Sequence, residues 1–559
     1  MPKRNADFRA KLKGLCIFIM ALNLWDLALD KKRKSKTKSF SFVLRRKLAS
    51  APTRPLLSQM SYLRTTLSST VICKLKKPPV NMIKVYFDWN VLSQIKNGAH
   101  SELKEILLNN HNLFVIFSSS HITDISASFS ENQKQQELIN SDLEFISELT
   151  ENYCLYNNGK GIVCEQYPPK ELFEHTIESK DSFKDLSIEG LMKTFEDDEK
   201  TNKIVKPLFD LLKNLPLDDS LKEAFKNPES AAIMENMFPG LKDKPTMGGF
   251  FKSFSQMNIN LNENDGYKEL RQTIQNGMGI NRDKIFNTEN PFDLIDKSYD
   301  KLGITVDQFK NNGKHAPKWF NDISNEYLKL DMHGYQEDKV NIKKGRKETF
   351  KNTTEDAFHA AYASTCNFYV INDKRSYKKT LKVFEKLDIN TRVQKPEEFL
   401  EFYKNFLGNK DPQTDLNIFQ NRLESNDFYE SEIDSGKYRT FYFPYFLFGF
   451  FNKLVTFHPF DENEEWSVFL SQDKPTNWFI IDKEIRELVN RLLGAFGPDI
   501  NDDGPFKMSE FDDGKWHGRR WIMGEFTLRL IAVNNYVQLY WDLEAEKPAG
   551  NTSNPCTSH

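Results

Sequence analysis

Short apolar runs of strand length recur along the chain, and most lead into segments with helical spacing. IKVYFD at 83–88 and LFVIFSS at 113–119 read as buried strands. WNVLSQIKNG after the first reads as a turn into a helix, and SELKEILLNN at 101–110 as a second helix. HITDISASF opens a helix expected to run on through ELINSDLEFISELT. The alternation breaks after about residue 153 and resumes near 354. There TTEDAFHAAYAS predicts a helix capped by Thr353 or Thr354, and NFYVIND at 367–373 another buried strand. SYKKTLKVFEKL, INTRV and KPEEFLEFYKNF then read as helix, strand and closing helix. Strands alternating with helices predict an α/β fold, a parallel sheet covered on both faces. The two parts, 82–153 and 350–408, form one domain because an α/β sheet tolerates an inserted unit at a surface connection.

The intervening 154–349 is mainly helical in pattern, as in KIVKPLFDLLKNL and FNDISNEYLKL. It is expected to act as a helical cap over a site edge or as a protein-partner surface. Residues 409–437 read as a linker with some helix. A small α+β domain is expected over 438–545, with strands at WSVFL, NWFIID, WIMGEFTLRLIAV and YVQLYWDL and an amphipathic helix at 481–496, and 546–559 is a tail. YFPYFLFGFFNKLVTF is strongly apolar, but its Pro and Gly breaks and Lys453 make it a poor membrane helix.

Composition narrows the class. The 559 residues are 39% hydrophobic and 28% charged, which fits a water-soluble chain of several domains. Six scattered cysteines without paired metal spacing fit a reducing compartment, the cytoplasm. The formal charge of -2 conceals an asymmetry: residues 1–80 hold 19 Lys or Arg and 3 Asp, leaving -18 on the remainder. The body therefore lacks a uniform nucleic-acid coat, and any polyanion contact there must be local. Residues 1–81 read as a basic leader outside the fold. Its apolar run Leu15–Leu29 is interrupted by Asn23 and Asp26 and is too short for a stable span.

The candidate chemistry is acidic. Asp88 and Asp373 each follow a buried strand, and ligands of open parallel sheets gather beyond the carboxyl ends of strands. Asp356 is expected at the start of a helix, where the positive dipole end keeps a carboxylate charged. Three converging carboxylates repel one another unless a cation neutralises them, and Mg²⁺ or Mn²⁺ suits oxygen-only ligands. Asp124 is the preferred fourth ligand over Glu144 and Glu148. Glu355 is expected to point away, because adjacent helical residues do not share a face. Asp88 and Asp373 also fit plain helix capping. His121 and His359 fit satisfied structural histidines, His359 paired locally with Asp356, and Ser119 and Ser120 fit caps.

VYFDWNVLSQI, VIFSSSHITDI, EDAFHAAYASTCNFYVINDKRS and RVQKPEEFLEF together resemble a PIN-like nuclease domain, over about a quarter of the chain. The resemblance implies a small parallel α/β fold with acidic residues holding Mg²⁺ or Mn²⁺ and cleaving RNA more often than DNA. It maps that role onto Asp88, Asp356 and Asp373, and approximately onto Asp124. Asn90 and Asn372 are expected to orient a ligand or water. Lys374, Arg375, Lys378, Lys379 and Lys382, with KKGRKETFK at 343–351, are candidates to grip phosphates. Trp89 is a weak candidate for base stacking, and Tyr86 and Phe87 fit the core. The alternatives are a catalytically silent scaffold or nucleic-acid-binding module on the same fold and, less favoured, another phosphate chemistry.

Overall fold

Ile83–Phe87 (β1) is buried at all five positions, as expected of a strand flanked on both edges and both faces. In this computed structural model the described residues run from 83 to 542, with interruptions, the longest at 182–205, 302–315 and 336–348. The basic leader, the tail and most of the basic run 343–351 lie outside the described residues.

β1 passes through Asp88 into α1 (Trp89–Lys96), followed by α2 (Ser101–Asn109). Leu113–Val115 (β2) and Phe117–Ser118 (β3) lead into α3 (Ser119–Ala127) and α4 (Gln133–Thr150). One continuous helix was expected there. Ser128 closes α3, and the Asn132 side chain caps α4 by accepting from the Lys134 N–H at 2.9 Å.

Strands continue past residue 153, where the alternation was expected to break, in a separate three-stranded sheet. Tyr153–Asn157 (β4) pairs in parallel with β3, and Ile162–Gln166 (β5) pairs antiparallel with β4, giving the order β3-β4-β5. The signal was two five-residue runs joined by NGKG, a hairpin connection. Pro169–Asp181 (α5) follows.

The inserted segment contributes α6 (Met247–Glu263), α7 (Gly266–Met278), α8 (Arg282–Phe286), α9 (Pro291–Asp300) and α10 (Lys318–Met332). The α/β domain then resumes with α11 (Phe350–Ala363), β6 (Phe368–Val370), α12 (Lys374–Lys386), β7 (Arg392–Gln394) and α13 (Pro396–Phe402). Four strands form a parallel sheet in the order β2-β1-β6-β7. The chain steps one way from β1 to β2 and later the other way to β6, so a crevice opens beyond the carboxyl ends of β1 and β6.

Side chains alternate across β1. Val85 and Phe87 join a core with α1 to α4 and α13. Tyr86 joins a second core that includes Tyr267, Ile295, Tyr327 and Leu330 of the insertion and Ala357 and Tyr362 of α11. The insertion is thus not a loose cap. It shares a core with the sheet, and α10 packs on α11 and α12.

The C-terminal unit begins earlier than 438. α14 (Pro412–Leu423) and β8 (Tyr429–Ile433) precede β9 (Gly436–Leu447), β10 (Phe451–Pro459), β11 (Ser467–Ser471) and α15 (Ile481–Phe496). Short strands β12 (Phe511–Asp512) and β13 (Lys515–Trp516) pair with each other, and β14 (Arg519–Met523), β15 (Phe526–Val533) and β16 (Tyr536–Asp542) follow. The main sheet is antiparallel, ordered β14-β15-β16-β11-β10-β9-β8. YFPYFLFGFFNKLVTF forms the β9–β10 hairpin, turning at Phe448 and Gly449 with φ of 51° and 66°. NWFIID is not a strand but leads into α15. No described helix is long and apolar enough to cross a membrane.

Candidate active site

Asp88 ends β1 and caps α1. Its N–H donates to the Val370 carbonyl of β6 at 2.9 Å, and its Oδ2 accepts from the Asn90 N–H at 3.3 Å. These bonds fix a carboxylate only 6% exposed at the switch point of the sheet. Burial pushes its pKa up; the His359 charge opposes that shift and the Asp124 charge adds to it. Capping and cluster membership are therefore the same placement, not rival roles.

Asp356 corrects an expectation. α11 starts with Thr349 as its cap, the hydroxyl accepting from the Asn352 N–H at 3.1 Å, a turn before Thr353. Asp356 consequently lies beyond the first turn and loses the dipole benefit that was to keep it charged. Its side chain is exposed, although neighbouring protein thins its hydration. That desolvation, with the charges of Asp88 and Asp124, pushes its carboxyl up to about 8, against the pull of Lys379 and His359.

Asp124 is drawn in by a residue from the far part of the chain. Its Oδ2 lies 3.0 Å from His359 Nε2, and His359 Nδ1 lies 2.7 Å from the Tyr86 hydroxyl. The expected pairing of His359 with Asp356 is replaced by this bridge between α11 and α3. Burial opposes charge on His359, but the Asp124 hydrogen bond and the charges of Asp124, Asp88 and Glu355 push it up to about 9. The ring is cationic at neutral pH and donates from both nitrogens.

Behind it, Tyr86 Oη lies 2.6 Å from Ser118 Oγ. His121 is fully buried, its Nε2 2.7 Å from the Phe87 carbonyl, and its Nδ1 accepts the Ser118 N–H at 3.0 Å. Burial, and after it the His359 charge, hold His121 well below its usual pKa. It is a neutral buttress, and Ser118, not Ser119 or Ser120, caps α3.

Glu355 also departs from expectation. It faces Asp124, Ser120 and His359, and burial followed by the Asp124 charge pushes it up to about 7. The i,i+4 spacing of Glu355 and His359 was the available signal.

Asp373 caps α12, its Oδ1 accepting from the Arg375 N–H at 3.0 Å and the Ser376 N–H at 2.8 Å. Ser376 Oγ in turn donates to Asp356 Oδ2 at 3.2 Å, so one serine ties the two aspartates. Sequence reasoning missed Ser376. Asn372 donates to Gln94 Oε1 at 2.9 Å and braces β6 against α1.

The basic residues divide. Lys374 is exposed, and Arg375 and Lys378 are half-buried on α12. Lys382 pairs with Glu385 at 2.7 Å. Lys379 is only 4% exposed and its ammonium is bonded to buried Asp331 of α10, which corrects its expected role as a phosphate contact. Asp331 also accepts from the Tyr267 hydroxyl at 2.7 Å and lies 3.8 Å from Arg271 Nε.

No protein-family model, curated protein or solved structure matches the chain.

Among the described residues, no three Asp, Glu, His or Cys side chains form a ready-made metal-holding group. The chemistry of the donors nevertheless fits a hard divalent cation: carboxylate oxygens close enough that the Asp88 and Asp124 charges push Asp356 up and the Asp124 charge pushes Asp88 up. Asp88, Asp124 and Asp356 are the coupled set, and Asp373 attaches to it through Ser376.

Proposed function

We propose that the protein is a PIN-like, metal-dependent nuclease that hydrolyses phosphodiester bonds, with single-stranded or structured RNA as its substrate. The observation that carries this reading is the gathering of carboxylates near the carboxyl end of β1, where the Asp88 and Asp124 charges act on Asp356 and the Asp124 charge on Asp88. These residues, with Asp373, would hold Mg²⁺ or Mn²⁺. Such an ion supplies an activated water and charge stabilisation at the scissile phosphate.

The chain's own residues perform the remaining tasks. Asp88 is immobilised by Val370 and Asn90, and Asp356 by Ser376, so the carboxylates are preorganised. His359 orients Asp124 while partly offsetting the acidic field. Lys374, Arg375 and Lys378, in the first turns of α12 beside Asp373, would meet flanking phosphates.

The test is incubation of the whole protein with labelled single- and double-stranded RNA and DNA in Mg²⁺, Mn²⁺ or chelator. Chelator-sensitive cleavage of RNA that Asp88→Asn abolishes is expected. Cleavage equal in Asp88→Asn, or none of any substrate with either ion, contradicts the reading.

The absence of a ready-made three-ligand group among the described residues favours a second reading, a catalytically silent nucleic-acid-binding scaffold. It predicts RNA binding without cleavage in the same assay.

A further inference from the structure

Between α15 and β12 the chain reads DINDDGPFKMSE at 499–510. Asp499, Asn501, Asp503, Gly504 and Glu510 stand at its first, third, fifth, sixth and twelfth positions. That is the residue order of a calcium loop. Alternate oxygens turn inward, the sixth residue makes a sharp turn, and the last carboxylate closes the shell with both oxygens. The backbone takes the same course. Gly504 has φ of 66°, and Asp499 Oδ1 accepts from the N–H groups of Asn501 at 3.0 Å and Asp503 at 3.3 Å.

A cation already sits in this loop. Arg519 enters from β14 and is only 3% exposed. Its Nη1 donates to Asp499 Oδ2 and, at 3.0 Å, to the Gly504 carbonyl. Its Nε and Nη2 donate to the two carboxylate oxygens of Glu510 at 2.9 and 2.6 Å. The guanidinium therefore engages the first and twelfth residues, the twelfth through both oxygens, as a bound ion would. Trp516 Nε1 adds a bond to Glu510 Oε2 at 3.1 Å. Three features depart from an ion-filled loop. Lys507 stands at the ninth position, which in such a loop supplies an oxygen or a water. Asp503 Oδ2 accepts from Asn501 Nδ2 at 3.3 Å on the exposed side. A 3-10 turn, Met508–Glu510, and then β12 follow in place of a second helix.

We infer that residues 499–510 are a calcium-type loop with a built-in cation: the Arg519 guanidinium takes the ion's place, and its removal opens the loop to Ca²⁺. An ordinary buried ion pair needs neither the ligand order nor the glycine turn. Arginine stays charged throughout the physiological range and is tethered, so the connection from α15 to β14 holds its shape without metal. Without the guanidinium, Asp499 and Glu510 lose their shared counter-charge. Ca²⁺ suits what remains, because it accepts carboxylate, amide and main-chain oxygens in flexible geometry. The inference is independent of the carboxylate crevice and of cleavage.

The test is equilibrium dialysis of the intact chain against about 1 mM Ca²⁺, which counts ions bound per chain. The wild type and Glu510→Gln should bind equal amounts, because the native loop holds no ion. Arg519→Met should bind about one Ca²⁺ more than the wild type, and adding Glu510→Gln should remove that gain. Ions held at Asp88 cancel in both comparisons. Should Arg519→Met unfold in chelator, refolding on addition of Ca²⁺ supports the inference; should it stay unfolded, Arg519→Gln takes its place. Loss of a bound ion on Glu510→Gln alone would overturn the inference, because the native loop would then hold Ca²⁺ beside its arginine. No gain in the folded Arg519 variants would overturn it as well.

Discussion

His359 Nε2 lies 3.0 Å from Asp124 Oδ2, joining two helices across 235 residues of sequence. The same ring reaches the Tyr86 hydroxyl at 2.7 Å, so one side chain ties α3, α11 and β1 together. His359→Ala would deprive a carboxylate and a buried hydroxyl of this partner. It should cost about 2–4 kcal/mol of stability in urea unfolding, with His359→Gln losing less because its amide can still donate. A loss below about 0.5 kcal/mol would remove the bridge from the account.

Asp331 holds the insertion to α12 through Lys379, with Arg271 and Tyr267 on its other side. Burial opposes its ionisation, but Lys379 and Arg271 hold its pKa far below the usual carboxylate range. Its contribution is present above the unfolded value near 4 and is lost as pH falls toward the lower folded value. Asp331→Ala leaves two buried cations without this carboxylate and should destabilise by about 3–5 kcal/mol, measured by chemical denaturation at neutral pH.

His333 closes α10 in its neutral form, Nδ1 2.6 Å from the Lys329 carbonyl and Nε2 3.1 Å from the Tyr299 hydroxyl. Burial lowers its pKa to about 4. The unfolded chain therefore binds the extra proton between roughly pH 6.5 and 4, and stability falls with pH in that window. Comparison of unfolding at pH 8 and pH 5 should show about 2 kcal/mol more loss in the wild type than in His333→Asn. Equal pH slopes would show that this imidazole does not carry the effect.

Lys84 and Glu484 form a 2.5 Å ion pair, 2% and 1% exposed, between β1 and α15. Lys84→Met, by taking the ammonium from Glu484, should cost about 3–5 kcal/mol, and adding Glu484→Leu should return most of it. A double-mutant denaturation cycle reads this coupling, and additive losses would contradict it.

The α/β layers were legible because strands such as VYF and FYV are continuous apolar runs bounded by helical patterns. Asp88 was legible for the same reason: it ends a strand. Asp124 and Asp356 were singled out by residue type, but their environments were not legible, since His359, Lys379 and Ser376 reach them across the fold. Thr349 took the cap expected of Thr353 or Thr354 because α11 begins in a polar stretch without apolar periodicity. Asp331 carried no local signal at all. Its partners come from α7 and α12, far apart in sequence, so only tertiary packing reveals it.

The central claim is that Asp88, Asp124 and Asp356 gather a divalent cation. Mn²⁺ binding, followed by electron paramagnetic resonance on the intact protein, tests it most directly. The account predicts saturable binding by the wild type that Asp88→Asn and Asp356→Asn each weaken by at least about tenfold while both variants remain folded. Equal Mn²⁺ binding by the wild type and both variants, or none by the folded wild type, would contradict it.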